Sequence, residues 1–415
     1  MLKIVSCLVV LFVALNVDAQ TDHAWPQFLG PNRNGISAET GLLDRWPAGG
    51  PTEIWRARGG VGMSGLAISR NRLLTMIQTD GKQHVICLDA NSGKTIWQTP
   101  VAPEYRNGQG KGPRATPTIV GNSVFAFTGE GILVALRLAD GKILWSHNAV
   151  TEHGGKPAAY GMSCSPLVVG DNVIVTVGAP QATVLAYDTT SGKLAWKAGA
   201  GDSTGYSSPA LLNVAGSQQI VAYTGSSLLG LAPKAGGIVW RYPYKTDFDC
   251  NIATPLAYDG RVFISSGENH GSVLLKLTPD GGQFQISEVW SSQGTKSVLR
   301  NEWQTSILID GHLYGFDNVG SAGPVTHLTC VNAATGKRSW QKLRFGKGNL
   351  IAADGKLLIS TMKGEFIVVA ASPKQYEEIG RSTVIGTTRQ APALSAGLLY
   401  LRDDREIVCL NVRKQ

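Results

Sequence analysis

A tight turn followed by a tryptophan recurs along this 415-residue chain. "DANSGKTIW" ends at Trp97, "RLADGKILW" at Trp145, "DTTSGKLAW" at Trp196, "APKAGGIVW" at Trp240 and "NAATGKRSW" at Trp340. With Trp55, Trp290 and a weaker position near Ile379, the steps are roughly 40 to 50 residues, the period of propeller blades. Ser92-Gly93-Lys94-Thr95 has the look of a phosphate-binding loop, but such a loop needs a glycine where Leu88 stands, and one nucleotide site does not repeat. The unit is therefore architecture. Its Asp or Asn bonds the turn backbone, and Gly93, Gly141, Gly192 and Gly336 supply a positive φ. The tryptophan brings a large apolar area that can cover the seam between two sheets.

A second pattern accompanies the first. "RATPTIVGNSVFAF", "SCSPLVVGDNVIVTV", "NIATPLAYDGRVFIS" and "RQAPALSAGLLYL" each give a short apolar run, a Gly/Asp/Asn turn and an alternating run, which is the signal of a hairpin. Four strands per unit and eight units predict an all-β, eight-bladed propeller of four-stranded blades. The chain offers a lone outer-strand signal ending at Trp55 and closes on "IVCLNV", so the N-terminal strand is expected to complete the last blade. Seven blades are the alternative, because "SPKQYEEIG" lacks both Gly-Lys and Trp.

The first residues, "MLKIVSCLVVLFVALNVDAQ", place one lysine before an apolar run and finish on Val17-Asp18-Ala19, the pattern of a signal peptide cut before Gln20. The expected organisation is a leader at 1–19, an extension at 20–50 and a propeller at 51–415, with a periplasmic or secreted location. No later run is long enough to span a bilayer. The net charge is +8, but its lysines and arginines are scattered rather than striped, so nucleic acid is not an expected partner, and a monomer is expected. Cys87, Cys330 and Cys409 share one repeat position and read as small core residues, while the pairing of Cys164 with Cys250 stays open.

The Ala-x-Asp-x-x-Thr/Ser-Gly-Lys-x-x-Trp signature, with "WPQFLGPNRNG" at the N-terminus, resembles the tryptophan-docking repeat of the pyrroloquinoline-quinone-like (PQQ-like) propeller superfamily. That resemblance implies one of two functions. One is a non-enzymatic binding or assembly scaffold of the cell envelope, like the assembly factor BamB; the other is a small quinoprotein alcohol or sugar dehydrogenase using PQQ and calcium. The adjacent cysteines frequent in such dehydrogenases are absent, and no haem motif occurs, so the scaffold is the expectation, with no catalytic residue and no cofactor. Asp247, Asp249 and Asn251 stand on alternate residues and would present oxygens to a hard cation if the segment were extended. "GDSTG" (201–205) matches a nucleophile elbow in letters only, since no helical segment follows it.

Aligning the segments that lead into the inner strands places Met63, Arg114, Ser163, Tyr206, Ile252, Trp303, Lys347 and Arg389 around one mouth. With Asn251, Asn301 and Glu302 nearby, the expected binding set is Arg114, Tyr206, Asn251, Asn301, Trp303, Lys347 and Arg389. Arginine binds carboxylate or phosphate in bidentate fashion and aromatic rings stack on planar groups, so an anionic ligand or an acidic segment of an envelope protein is the expected guest. The links 98–113 and 146–161 are expected to border the mouth.

Overall fold

A computed structural model describes residues 23–47, 49–321 and 325–414; the leader at 1–19 and its cleavage point lie outside the described residues. The strands form eight four-stranded antiparallel sheets, each a blade of a closed ring. Seven sheets take four consecutive strands, as in Ala67–Ser69, Arg72–Thr79, Lys82–Asp89 and Thr95–Pro103 of the first blade. The eighth combines Ala393–Ser395, Leu398–Arg402 and Glu406–Asn411 with Thr52–Arg58 from the other end of the chain. Thr52 pairs with Asn411 and Arg58 with Glu406, so the ring is tied shut by hydrogen bonds between its termini. Eight blades, not seven, are present.

The repeat explains the seams. Gly141 has φ +71°, and a Cβ there would meet Cε3 of Trp97, on the preceding blade, at 2.5 Å. The same contact holds for Gly93 with Trp55, Gly192 with Trp145 and Gly336 with Trp290. Glycine is needed twice over, for the turn and for the indole lying on it. Each of these indoles then donates to a carbonyl beside that turn: Trp97 to Leu138 at 2.9 Å, Trp290 to Ala333 at 2.8 Å. Asp89 accepts from the amides of Asn91 and Ser92, the expected Asx turn.

Across the sheet the tryptophan faces a small residue. Cys87 pairs with Trp97, Cys330 with Trp340, Cys409 with Trp55 and Ala135 with Trp145. These cysteines are fully buried, as their shared position implied.

Two blades depart from the rule. In the seventh, the outer strand Glu378–Thr383 keeps the bulge that every outer strand carries after its turn, but the register puts a glycine, Gly380, beside Ile379, at the tryptophan position opposite Val368. The vacancy is filled from elsewhere in the chain. Trp46 occupies the space a Gly380 side chain would take, packs on Phe366 with centroids 5.2 Å apart and donates to Ser382 at 3.1 Å. In the fifth, the hairpin Gly271–Asp280 and Gln283–Gln293 runs on past the usual turn, so Trp240 turns back over Gly230 of its own blade and donates to Gln219 Oε1 at 2.5 Å.

Candidate functional site at the propeller mouth

Inner strands converge on the ring axis, and the segment at 25–36 crosses one end of it. Trp25 pairs with Ile68 of the first blade and Ile36 with Ala352 of the seventh, which fixes the segment across the axis. Arg33 drives its guanidinium into the middle. It donates to the carbonyls of Ser165 at 3.0 Å, Pro209 at 2.9 Å and Pro166, and to Gln27 Oε1 at 2.8 Å. Complete burial pulls its pKa down to about 10, because no carboxylate repays the lost hydration. Backbone carbonyls of neighbouring inner strands are what a buried cation can use there, and together they staple the segment to several blades.

The axis is thus blind at one end. Above Trp25, Phe28 and Leu29 lies a cavity of about 410 Å³ that opens at the other face. Of the eight ring positions aligned in the sequence, seven line it: Met63, Arg114, Ser163, Tyr206, Ile252, Trp303 and Arg389. The seventh blade contributes Asn349 instead of Lys347. The floor was not legible in advance, because nothing in "WPQFLGPNRNG" says which surface it covers.

The polar members of the expected set divide sharply. Arg114 is buried and held by its own loop and the next link: Nη2 donates to Gly110 O at 2.7 Å, Nη1 to Gly112 O and Nε to Tyr160 O at 2.6 Å, and the guanidinium lies 4.4 Å from the Tyr105 ring. Desolvation lowers its pKa. It shapes the loop rather than offering a free fork. Arg389 is exposed; Nη1 reaches Gln109 O at 2.9 Å, its guanidinium sits 5.3 Å from the Trp303 ring, and Nη2 meets no protein acceptor among the described residues. Lys347 is 4.9 Å from the same ring and bonds Glu302 Oε1 at 2.9 Å. Burial raises the Glu302 pKa against the opposing pull of that lysine.

Asn251 and Asn301 sit behind the wall. Asn251 is fully buried, giving both amide protons to Thr224 O at 2.7 Å and Tyr244 O at 3.1 Å and accepting from Thr246 and Ser266. Asn301 donates to Phe316 O at 3.1 Å and accepts from Ser306 at 2.8 Å. Side chains this satisfied hold the links in shape. Tyr206 stacks on Tyr160 with centroids 5.6 Å apart and accepts from its amide, and burial raises the phenol pKa.

Asp247 and Asp249 do not lie on an extended segment. Asp247–Asp249 form a 3-10 turn in which Phe248 and Asp249 take φ of 57° and 56°, so the carboxylates part: Asp249 accepts from Ser203 at 2.8 Å, and Asp247 lies toward His270. With Asn251 saturated, the three do not form a cation site, and among the described residues no group of three His, Cys, Asp or Glu has metal-holding geometry. Ser203 of "GDSTG" is spent on that aspartate in a link followed by no helix. Cys164 and Cys250 are separate free thiols. Burial, then the carboxylates of Glu268, Glu302, Asp249 and Asp247, push Cys250 up to about 11. The mouth is therefore two-signed, with Arg389 on the eighth blade's side and carboxylates on the side of the fifth and sixth.

The links are shorter than expected, because outer strands run further: Thr95–Pro103 takes the first part of 98–113, and Ile143–Asn148 the start of 146–161. Gln109 and Tyr160 from the remainders do reach the cavity.

A family model described as outer membrane protein assembly factor BamB matches residues 47–176 and 81–342. The outer membrane protein assembly factor BamB of Yersinia pestis is 26% identical over 296 residues, covering 68% of this chain and 66% of that protein. Quinohemoprotein alcohol dehydrogenase ADH IIB of Pseudomonas putida is 33% identical over 122 residues, covering 27% of this chain but 17% of that protein. Among solved structures, the quinohemoprotein alcohol dehydrogenase of Comamonas testosteroni aligns with a TM-score of 0.66 over 94% of this chain and 80% of that chain, at 12% identity, a likeness of fold. Among the described residues no helix is long and apolar enough to cross a membrane.

Proposed function

The chain belongs to the family of the outer membrane protein assembly factor BamB, and from that membership we propose that it is a binding or assembly scaffold of the cell envelope, exported by the leader at 1–19, whose guest enters the open mouth of the propeller. One observation carries the reading: the mouth's polar groups are already committed to the protein. Arg114 holds three carbonyls of the chain, and Lys347 and Glu302 hold each other. Proton transfer needs groups within reach of a reacting atom, whereas shape and a few unspent contacts suffice for recognition. The unspent ones are the apolar cavity, the Trp303 ring edge and Arg389, so the guest presents an apolar group to the cavity and an anionic group to Arg389.

The test is to recover binders from envelope extract on the mature chain and measure each against the Arg389→Ala protein. Loss of one charge-assisted contact should cost about 1.5–3 kcal/mol, roughly tenfold or more in affinity at low salt. Unchanged affinity moves the site off the mouth.

The dehydrogenase likeness supplies a second reading. Its calcium requires oxygen donors around a shared point, and the three-oxygen candidate here is dispersed by the 3-10 turn and the saturated Asn251. Those residues do not fit the ion. Incubation with PQQ and calcium followed by dye reduction with an alcohol panel checks this, and quinone-dependent turnover would reverse the order of the two readings.

A further inference from the structure

Every blade ends in an outer strand whose far edge has no neighbour, and a bare edge is a template for another strand. Natural edges are blunted by brevity, proline or charge, and seven of the eight follow that rule. Pro100 and Pro103 interrupt the first blade's edge and Pro243 the fourth's; Arg56, Lys197 and Arg381 stand on three others. The second and sixth are six and five residues long.

The fifth blade is different. Its outer strand, Gln283–Gln293, has eleven residues, the longest among those described, with no proline, lysine or arginine. Its one charge, Glu288, accepts a bond from Tyr242 at 2.6 Å. The two-residue turn Gly281-Gly282 has both φ positive, at 56° and 89°, so the Asp280/Gln283 pair closes the hairpin through hydrogen bonds. Alternation from that pair points the amides of Phe284, Ile286 and Glu288 away from the hairpin, and none of the three reaches a backbone acceptor outside it. Phe284 and Ile286 pack, as Leu212 and Tyr242 do, against the core cluster that the fourth and fifth blades share, so the strand is anchored before it pairs. Trp240, on the fourth blade, bonds Gln219 of its own blade instead of a carbonyl beside the fifth blade's turn.

We propose that this edge is a strand-addition site for an extended segment of a second polypeptide, which pairs as a fifth strand with Gln283 to Glu288, the regular run before the bulge at Val289, and lays an apolar side chain on Val289, 40% exposed. A second copy of this chain is the poorer occupant. Antiparallel self-pairing about the strand centre sets Glu288 against Glu288, and two copies carry +8 each.

The experiment places the photo-reactive residue p-benzoyl-phenylalanine at position 289 of the full chain in its native cells. A heterologous adduct is expected, reduced roughly tenfold in the double variant Ser287→Lys, Ser291→Lys and retained in Ser287→Thr, Ser291→Thr. Both serines are exposed, so the lysine variant should fold, and its unfolding midpoint checks that. In the purified adduct the amides of Phe284, Ile286 and Glu288 should exchange roughly tenfold slower, with those of Leu194–Ala198 in the third blade unchanged. Absence of an adduct, an adduct with a second copy of the chain, or one without that protection overturns the proposal. Arg389→Ala should leave the adduct intact, which separates this site from the mouth.

Discussion

The seam between the first and second blades and the one beside the seventh reach the same packing with different parts of the chain. At the first, Trp97 belongs to the strand it packs from and lies on Gly141 of the next blade. At the seventh, the strand supplies Gly380 and the indole arrives from Trp46, in the segment before the closing strand. The facing residues compensate, with small Cys87 opposite Trp97 and larger Val368 opposite Gly380. What the fold demands is a filled volume at the seam, and the chain position of the indole is secondary.

Removing each indole tests that equivalence. Trp97→Ala opens a hole at a seam where the tryptophan is 8% exposed and should cost about 3–5 kcal/mol in denaturant unfolding. Trp46→Ala, at a half-buried site, should cost less, about 2–3 kcal/mol. Gly380→Trp alone should destabilise, because the new ring meets Trp46. In the Trp46→Ala background it should recover part of the loss, a coupling of about 1–3 kcal/mol in the double-mutant cycle. Strict additivity would mean that Trp46 does not stand in for the missing repeat residue.

The smallest effect is at the mouth. The folded Glu302 pKa is raised by burial, so the fold favours its protonated form. That contribution is full below the ordinary carboxylate value of 4.5 and fades as pH rises through the raised folded value. Glu302→Gln should flatten the fall in stability over this window; equal pH slopes for both proteins would show that the Lys347 pair cancels the burial cost.

The circumference was legible because it repeats. Turn, glycine, tryptophan and small partner recur at one spacing, and each copy reports on the others. The same alignment found seven of the eight residues at the cavity wall, since position along a repeat maps onto position around a ring. It failed where the repeat breaks. The seventh outer strand keeps the bulge of the other blades, which puts the tryptophan position at Gly380, next to Ile379, but without Gly-Lys or Trp nothing in the segment marks that residue or says that Trp46 will fill its place.

The sequence by itself determined the all-β ring and its closure by the strand at Trp55, because these follow from local periodicity and from burying one face of every strand. It pointed to eight blades with seven as the alternative, a choice the eight sheets decide. Only the tertiary structure decided which polar groups at the mouth are free. Arg114 and Arg389 have the same chemistry on paper, yet one is held by carbonyls of its own loop and of the neighbouring link and the other keeps Nη2 open. Whether a side chain has spent its hydrogen bonds depends on atoms contributed from other blades and from the segment at 25–36, and no local pattern encodes that meeting.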